Sequence, residues 1–191
     1  MPEQRKIAKK YQDLLLKDLK KLISSRIHEE RLVCLIILMN RYKKADDVVK
    51  KEIVDFHLGN LEHINNWDLI DLSSGSILGD YLMDRDRSIL YEMAKSDNLW
   101  KRRIALMSTF AFIRRKDDFD DTLRIAEMLL GDSHDLIHKA VGWMLREIGK
   151  KDIAREEAFL AKHYKKMPRT MLRYAIEKFD DKKRGHYLGK S

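Results

Sequence analysis

The chain has 191 residues, 44% of them hydrophobic and 37% charged, with 8 glycines, 2 prolines, 3 tryptophans and one cysteine. That balance supports a helical domain with a real core and excludes a sheet-rich, disordered or disulfide-stapled chain. The formal net charge is +8, and it is uneven: residues 1–26 carry eight Lys/Arg against three Asp/Glu, residues 162–191 carry ten against three, and −4 is left for the stretch between. Two basic ends around a mildly acidic middle fit a polyanion gripped from both ends, and fit solvated helix faces as well.

Apolar residues recur at helical spacing along nearly the whole chain. They predict helices near 3–22, 27–42, 45–58, 67–82, 86–96, 98–114, 118–130, 135–149, 152–164 and 168–179. The first segment is charged throughout, unlike a secretory leader. Cys34 lies in the apolar run Leu32–Met39, where it reads as a small buried hydrophobe. That run is far short of the ~20 residues a bilayer requires, so a cytoplasmic protein is expected. Ser25, Asp97, Asp117 and Ser133 are the expected helix caps, and Pro168 fits a first turn. Residues 1–180 are read as one helical-repeat domain. Residues 181–191, polar and with Gly185 and Gly189, are read as a flexible basic tail.

A degenerate repeat runs through these helices. Val33, Ala105, Ala140 and Leu172 each precede a lysine-rich break at the same offset, ending at Lys44, Lys116, Lys151 and Lys183. The anchors are 72, 35 and 32 residues apart, so the first gap holds two units. A period in the thirties with two helices per unit is the signature of an α-solenoid, whose concave face usually binds. A non-repeating helical bundle is the alternative.

The tryptophans mark three polar-aromatic clusters: Trp67-Asp68-Leu69-Ile70-Asp71, Trp100-Lys101-Arg102-Arg103, and Lys139 to Glu147 around Trp143. Trp67 and Asp71 are four apart, so one helix face carries both, with Leu78 and Tyr81 on the same stripe. Arg103 falls on an apolar stripe with Leu99, Trp100, Met107 and Phe110, while Arg102 points to the polar side. A charge on an apolar face needs a partner or a purpose. Two accounts fit: an Asp71–Arg103 ion pair tying helices together, or a cleft in which Asp71 faces a cation and Arg103 a phosphate. Trp143 sits where its helix's apolar stripe meets Lys139 and Arg146, a place from which an indole can stack on a base, sugar or cation. His134-Asp135-Leu136-Ile137-His138 has zincin-like spacing without a third ligand, and Ser73-Ser74-Gly75-Ser76 lacks the lysine of a phosphate loop, so neither predicts a metal or nucleotide site.

With these clusters in place, the chain resembles the DNA alkylation repair family, the AlkD-like HEAT-repeat DNA glycosylases. The resemblance rests on Asn66 to Asp71, Trp100 to Ala105, Lys139 to Glu147 and Pro168 to Phe179, in that order and spacing. It implies an all-α, right-handed solenoid of HEAT-like antiparallel helix pairs with a concave basic face. It implies removal of cationic N3- or N7-alkylated purines from duplex DNA by a monomeric, nucleoid-associated enzyme with no cofactor and no metal. Asp71 would stabilise the developing sugar cation and position water, Trp67 and Trp143 would flank the sugar, and Arg103 would anchor a phosphate. Arg102, Lys139, Arg146, Arg169 and Arg173 are the expected DNA contacts. Members of the family carry further helical residues before the motif seen here as Met1 to Lys9, so the chain is expected to be shortened at that end. A non-catalytic DNA-binding relative that recognises distorted DNA, and a protein-interaction scaffold, remain the alternative functions.

Overall fold

A computed structural model describes residues 2–189; Met1 of the N-terminal motif and Lys190 and Ser191 of the expected tail lie outside the described residues. The chain is all-α: among the described residues there are helices, turns and bends but no strand. It divides into two compact units, Met1–Arg87 and Ser88–Ser191.

Unit 1 holds α1 (Pro2–Lys10), α2 (Leu16–Ile23), α3 (His28–Tyr42), α4 (Asp47–Leu58) and α5 (Trp67–Ser73). Its centre is α3, where eight consecutive residues, Leu32–Met39, are buried and give the helix apolar contact all round. Both α1 and α2 pack on it. The continuous helix expected over 3–22 is broken at residues 11–15, so that two short helices share one partner. The Arg41 guanidinium secures the break by donating from Nε to the Gln12 carbonyl at 2.5 Å and from Nη2 to that of Leu14. Cys34 is buried as expected, and burial pushes its thiol up to about 12, which leaves it protonated and inert.

The helix expected over 67–82 is also interrupted. After α5 the ladder widens into a π-turn over Gly75–Gly79, with the Gly79 amide donating five residues back to Ser74. Buried hydroxyls sit at the switch. Ser73 donates to the Leu69 carbonyl at 2.7 Å, and its oxygen lies 3.3 Å from Nε2 of His57 on α4. Serines that bond back to the preceding turn loosen a helix in this way.

Unit 2 holds α6 (Ser88–Ala94), α7 (Leu99–Ser108), α8 (Phe110–Lys116), α9 (Asp120–Met128), α10 (Asp135–Gly149), α11 (Ile153–His163), α12 (Arg169–Ala175) and α13 (Asp181–Leu188). The repeat read from the sequence is physical here. Ala105, Ala140 and Leu172 are all buried, and their helices α7, α10 and α12 stack in series. Links between repeats keep the same period: Asp117–Lys151, Asp120–Arg155 and Glu127–Lys162 join residues 34, 35 and 35 apart. The backbones of two stacked helices come close at Gly142. A methyl added there would lie 2.3 Å from the Met171 carbonyl oxygen and 2.5 Å from Cβ of Tyr174, so α10 meets the α12 backbone directly.

Several local expectations are corrected. The helix expected over 98–114 breaks between α7 and α8, where the Ser108 and Thr109 hydroxyls donate to the Ile104 and Leu106 carbonyls at 2.7 Å each. Asp117 does not open α9; it closes α8 in the left-handed region at φ 50°, which aspartate tolerates better than most residues. Asn98, not Asp97, caps α7, accepting from the Trp100 amide at 2.8 Å. Residues Asp181–Leu188, read as tail, are helical, because Asp180 accepts from the Lys183 amide at 2.8 Å and Tyr187 packs on Tyr164 and Phe179.

Replacing Gly142 with alanine forces α10 and α12 apart. We expect G142A to lose about 1–3 kcal/mol in urea unfolding, the usual cost of overpacking. Unchanged stability would mean the close approach is not a constraint.

Two buried ionisable groups predict an opposed pH response. Burial lowers His57 to about 4. The unfolded chain protonates this imidazole first, so its stabilising contribution, present above pH ~6.5, is lost as pH falls from there toward 4. Burial raises Glu156 to about 8, with the neighbouring Glu157 charge adding to the effect. Here stability is fully present below pH ~4.5 and falls as pH rises toward 8. Glu156→Gln is therefore expected to raise the melting temperature at pH 8.5 and to change it little at pH 4.5, measured by scanning calorimetry.

Candidate active site

Within unit 1, the candidate residues lie on α5. Its N-cap is Asn66, whose Oδ1 accepts from the Trp67 amide at 2.8 Å. Asp68 accepts from the Leu69 amide at 2.9 Å and also meets Nε2 of His28, at the start of α3, at 2.8 Å. The first turn of α5 is thereby pinned to α3. Leu69 and Ile70 plug into the core, with no exposed surface. This fixes the rotation of the helix and turns Trp67 outward, 53% exposed, with Asp71 half-buried one turn later. The sequence missed His28 as the anchor of this turn; nothing in local spacing links residues 40 apart.

Within unit 2, Arg103 is 5% exposed, as its place on an apolar stripe foretold. It is not stranded there: Nη1 donates to the Leu136 carbonyl at 2.5 Å, in the first turn of α10. The guanidinium thus ties α7 to the helix that carries Trp143. Trp143 is half-buried and packs on Phe110, with ring centroids 4.8 Å apart and planes tilted by 48°. On Phe110 lies the guanidinium of Arg114, 5.6 Å from the ring centroid. Phe110 and Arg114 extend the aromatic group beyond what the tryptophan clusters signalled. Trp100 is half-buried behind the α7 cap.

The cations expected to contact DNA divide by what holds them. Arg102 is held within the protein. Its Nε donates to Asp132 at 2.6 Å, and its Nη1 to the Ser96 and Asp97 carbonyls at 2.9 Å each. The Asp132 side chain is only 4% exposed, so the guanidinium clamps α7 to the turn before α10. Lys139 pairs with Asp135 at 2.6 Å, which raises the ammonium and lowers the carboxyl. Arg146 pairs with Glu177. Arg169 donates to the Leu188 carbonyl at 3.1 Å, and Arg173 lies exposed on α12. The zincin-like pair is absorbed by capping: Nδ1 of His134 accepts from the Leu136 amide, and Nε2 of His138 meets the Asp132 carbonyl. Among the described residues no cluster of three or more His, Cys, Asp or Glu side chains could hold a metal ion. Nor is any helix there long and apolar enough to cross a membrane.

Helices α7, α10 and α12 stacked at a period in the thirties define the class: an all-α helical-repeat protein. The profile of the DNA alkylation repair enzyme family matches residues 1–179, and the chain belongs to that family. Among solved structures it is similar to a protein described as a predicted DNA alkylation repair enzyme from Enterococcus faecalis, at 15% identity and a TM-score of 0.69 over 94% of this chain and 86% of that one. It is also similar to AlkD2 from Streptococcus mutans, at 22% identity and a TM-score of 0.65 over 94% and 90%, and to the smu.31 protein of Streptococcus mutans UA159, at 22% and 0.64 over 94% and 92%. At these identities the likeness establishes the fold alone. A search of curated proteins finds no significant match.

Arg102→Ala should leave Asp132 buried without its partner and cost about 3–5 kcal/mol in chemical unfolding, as breaking buried pairs does. Its effect on DNA affinity, compared at a temperature where the variant is folded, should be small. A large affinity loss with intact stability would restore Arg102 as a phosphate contact.

Proposed function

We propose that the chain is a monofunctional, monomeric DNA glycosylase that hydrolyses the N-glycosidic bond of cationic N3- or N7-alkylated purines in duplex DNA, in the cytoplasm. The observation that carries this reading is the pair on α5: an outward indole, Trp67, and a half-buried carboxylate, Asp71, one turn apart on a helix whose rotation the core fixes. Family membership supplies the substrate class.

The chemistry follows from charge. Alkylation at N3 or N7 leaves the purine cationic, so it departs with the electron pair of the C1′–N9 bond as a neutral base. This leaving group is why no metal or cofactor is required. Positive charge then builds on the deoxyribose. Asp71 is the group to stabilise it, because a partly desolvated carboxylate interacts more strongly with a cation than one in bulk water. Water adds to C1′ and passes its proton to the carboxylate, giving free alkylpurine and an abasic site. The ring face of Trp67 favours such a cation, and the indole of Trp143 is a second ring of the kind that does so. Arg103 acts as a positioning residue, holding α10 and with it Trp143 through the Leu136 carbonyl. No step uses a lysine Schiff base, so strand cleavage does not follow. Lys139, Arg146, Arg169 and Arg173 supply phosphate contacts that position the duplex.

Asp71→Asn is expected to lower single-turnover release of 7-methylguanine and 3-methyladenine from methylated duplex by about 100-fold or more, with DNA affinity nearly kept. Wild-type protein that binds methylated duplex but releases no base would refute the enzyme and leave a non-catalytic DNA-binding protein.

A further inference from the structure

Of the three expected DNA contacts that meet a carboxylate, Arg102, Lys139 and Arg146, only Arg146 combines a nearly buried side chain with a partner half in solvent. Arg102 sits against a nearly buried aspartate and two carbonyls. Lys139 meets Asp135 within one helix, both side chains in solvent. Arg146 differs from both. Its side chain is 15% exposed, with a buried Nε that makes no hydrogen bond, so the stem is fixed and the outer nitrogens are aimed. Nη1 donates to Oε2 of Glu177, which is 48% exposed. Glu177 stands on the three-residue turn Ile176–Lys178, and its other oxygen is 3.6 Å from Lys178. Solvent and a second cation are both at hand if it swings away.

The surroundings of that carboxylate are built for an anion. Thr170, Arg173, Tyr174 and Glu177 fall three, four and seven residues apart on one face of α12 and its following turn. Together they line a cavity of about 500 Å³. Apart from Glu177, the polar groups of this wall are the Arg173 guanidinium and the hydroxyls of Tyr174 and Thr170, all donors to an oxyanion, with Thr170 already engaged by the Asp135 carboxylate. Arg146 adds a second guanidinium through the same carboxylate. The floor is rigid, because Tyr174 is pressed against α10 at Gly142.

We propose that this cavity is a seat for a DNA backbone phosphate and that the Glu177 carboxylate is the resident anion the phosphate must displace. The proposal rests on the reading of the chain as a DNA-binding enzyme and adds its regulation: Glu177 tempers affinity for undamaged duplex. A carboxylate carries one charge on a planar fork. A phosphodiester carries one charge on tetrahedral oxygens, which can accept from donors outside a single plane. The exchange conserves charge in the seat and releases no counterion from Arg146, so this contact weakens less with salt than an open arginine would.

The test measures fluorescence anisotropy of an undamaged labelled duplex with wild type, Glu177→Gln, Arg146→Gln and the double variant, across salt concentrations. Glu177→Gln should bind about fivefold tighter at low salt. Its slope of log affinity against log salt should steepen by roughly one, since Arg146 then holds a counterion that DNA releases. The gain should vanish when Arg146 is also replaced. Equal affinity for wild type and Glu177→Gln overturns the proposal, and so does a gain that persists without Arg146. If wild type binds no duplex at all, the reading as a DNA-binding enzyme falls, and the seat is judged with inorganic phosphate alone. In that case phosphate must shift the Arg146 Nε–Hε resonance at lower concentration in Glu177→Gln than in wild type, and equal titrations overturn it.

Discussion

Helix α10 of unit 2 is held from two sides, and the placement of the unit's candidate residues depends on that hold. At Gly142 the absence of a side chain lets the α12 backbone come within contact distance. At Leu136 the helix accepts a hydrogen bond from Arg103, a nearly buried cation on α7. The first contact is steric and admits almost no substitution. The second satisfies a charge that would otherwise be costly in an apolar setting. Lys139 lies between the two contacts, and Trp143 and Arg146 follow within a turn of Gly142, so packing sets the rotation of the helix that carries them.

Unit 1 reaches the same end by a different device. Its short helix α5 has only seven residues, too few to be stable by propensity. It is held by Leu69 and Ile70 in the core, by its Asn66 cap and by the His28–Asp68 pair. A π-turn follows directly, so the strain of the widened ladder falls after Asp71 and not at it. Removing the apolar anchors would free the indole and the carboxylate together.

Much of this was legible in the sequence because it depends on periodicity. The anchors Ala105, Ala140 and Leu172 mark the stacked helices correctly, and Arg103 on an apolar stripe was rightly read as a charge in need of a partner. Illegible features depend on distant or fine balances. Thr109 looks helical until its hydroxyl competes with the backbone, and residues 11–15 look helical until Arg41, nearly thirty positions later, takes their carbonyls. Arg102 and Arg103 are adjacent and chemically alike. Helical spacing separated their faces, but only the fold reveals that Asp132 clamps the one expected to reach solvent.

The same limit applies to net charge. A count of +8 suggests a uniformly attractive surface for a polyanion, yet several of the cations in question are already matched by carboxylates inside the protein. What a phosphate encounters is set by how firmly each match is held. Asp132 is nearly buried and fixed, Asp135 is solvated and adds little, and Glu177 lies between these extremes. Under the proposed function, a pairing of intermediate strength suits the scanning of undamaged duplex, since affinity built from open arginines would hold an enzyme at every site. Grading the internal ion pairs, rather than reducing the number of basic residues, keeps the long-range attraction while moderating the contact.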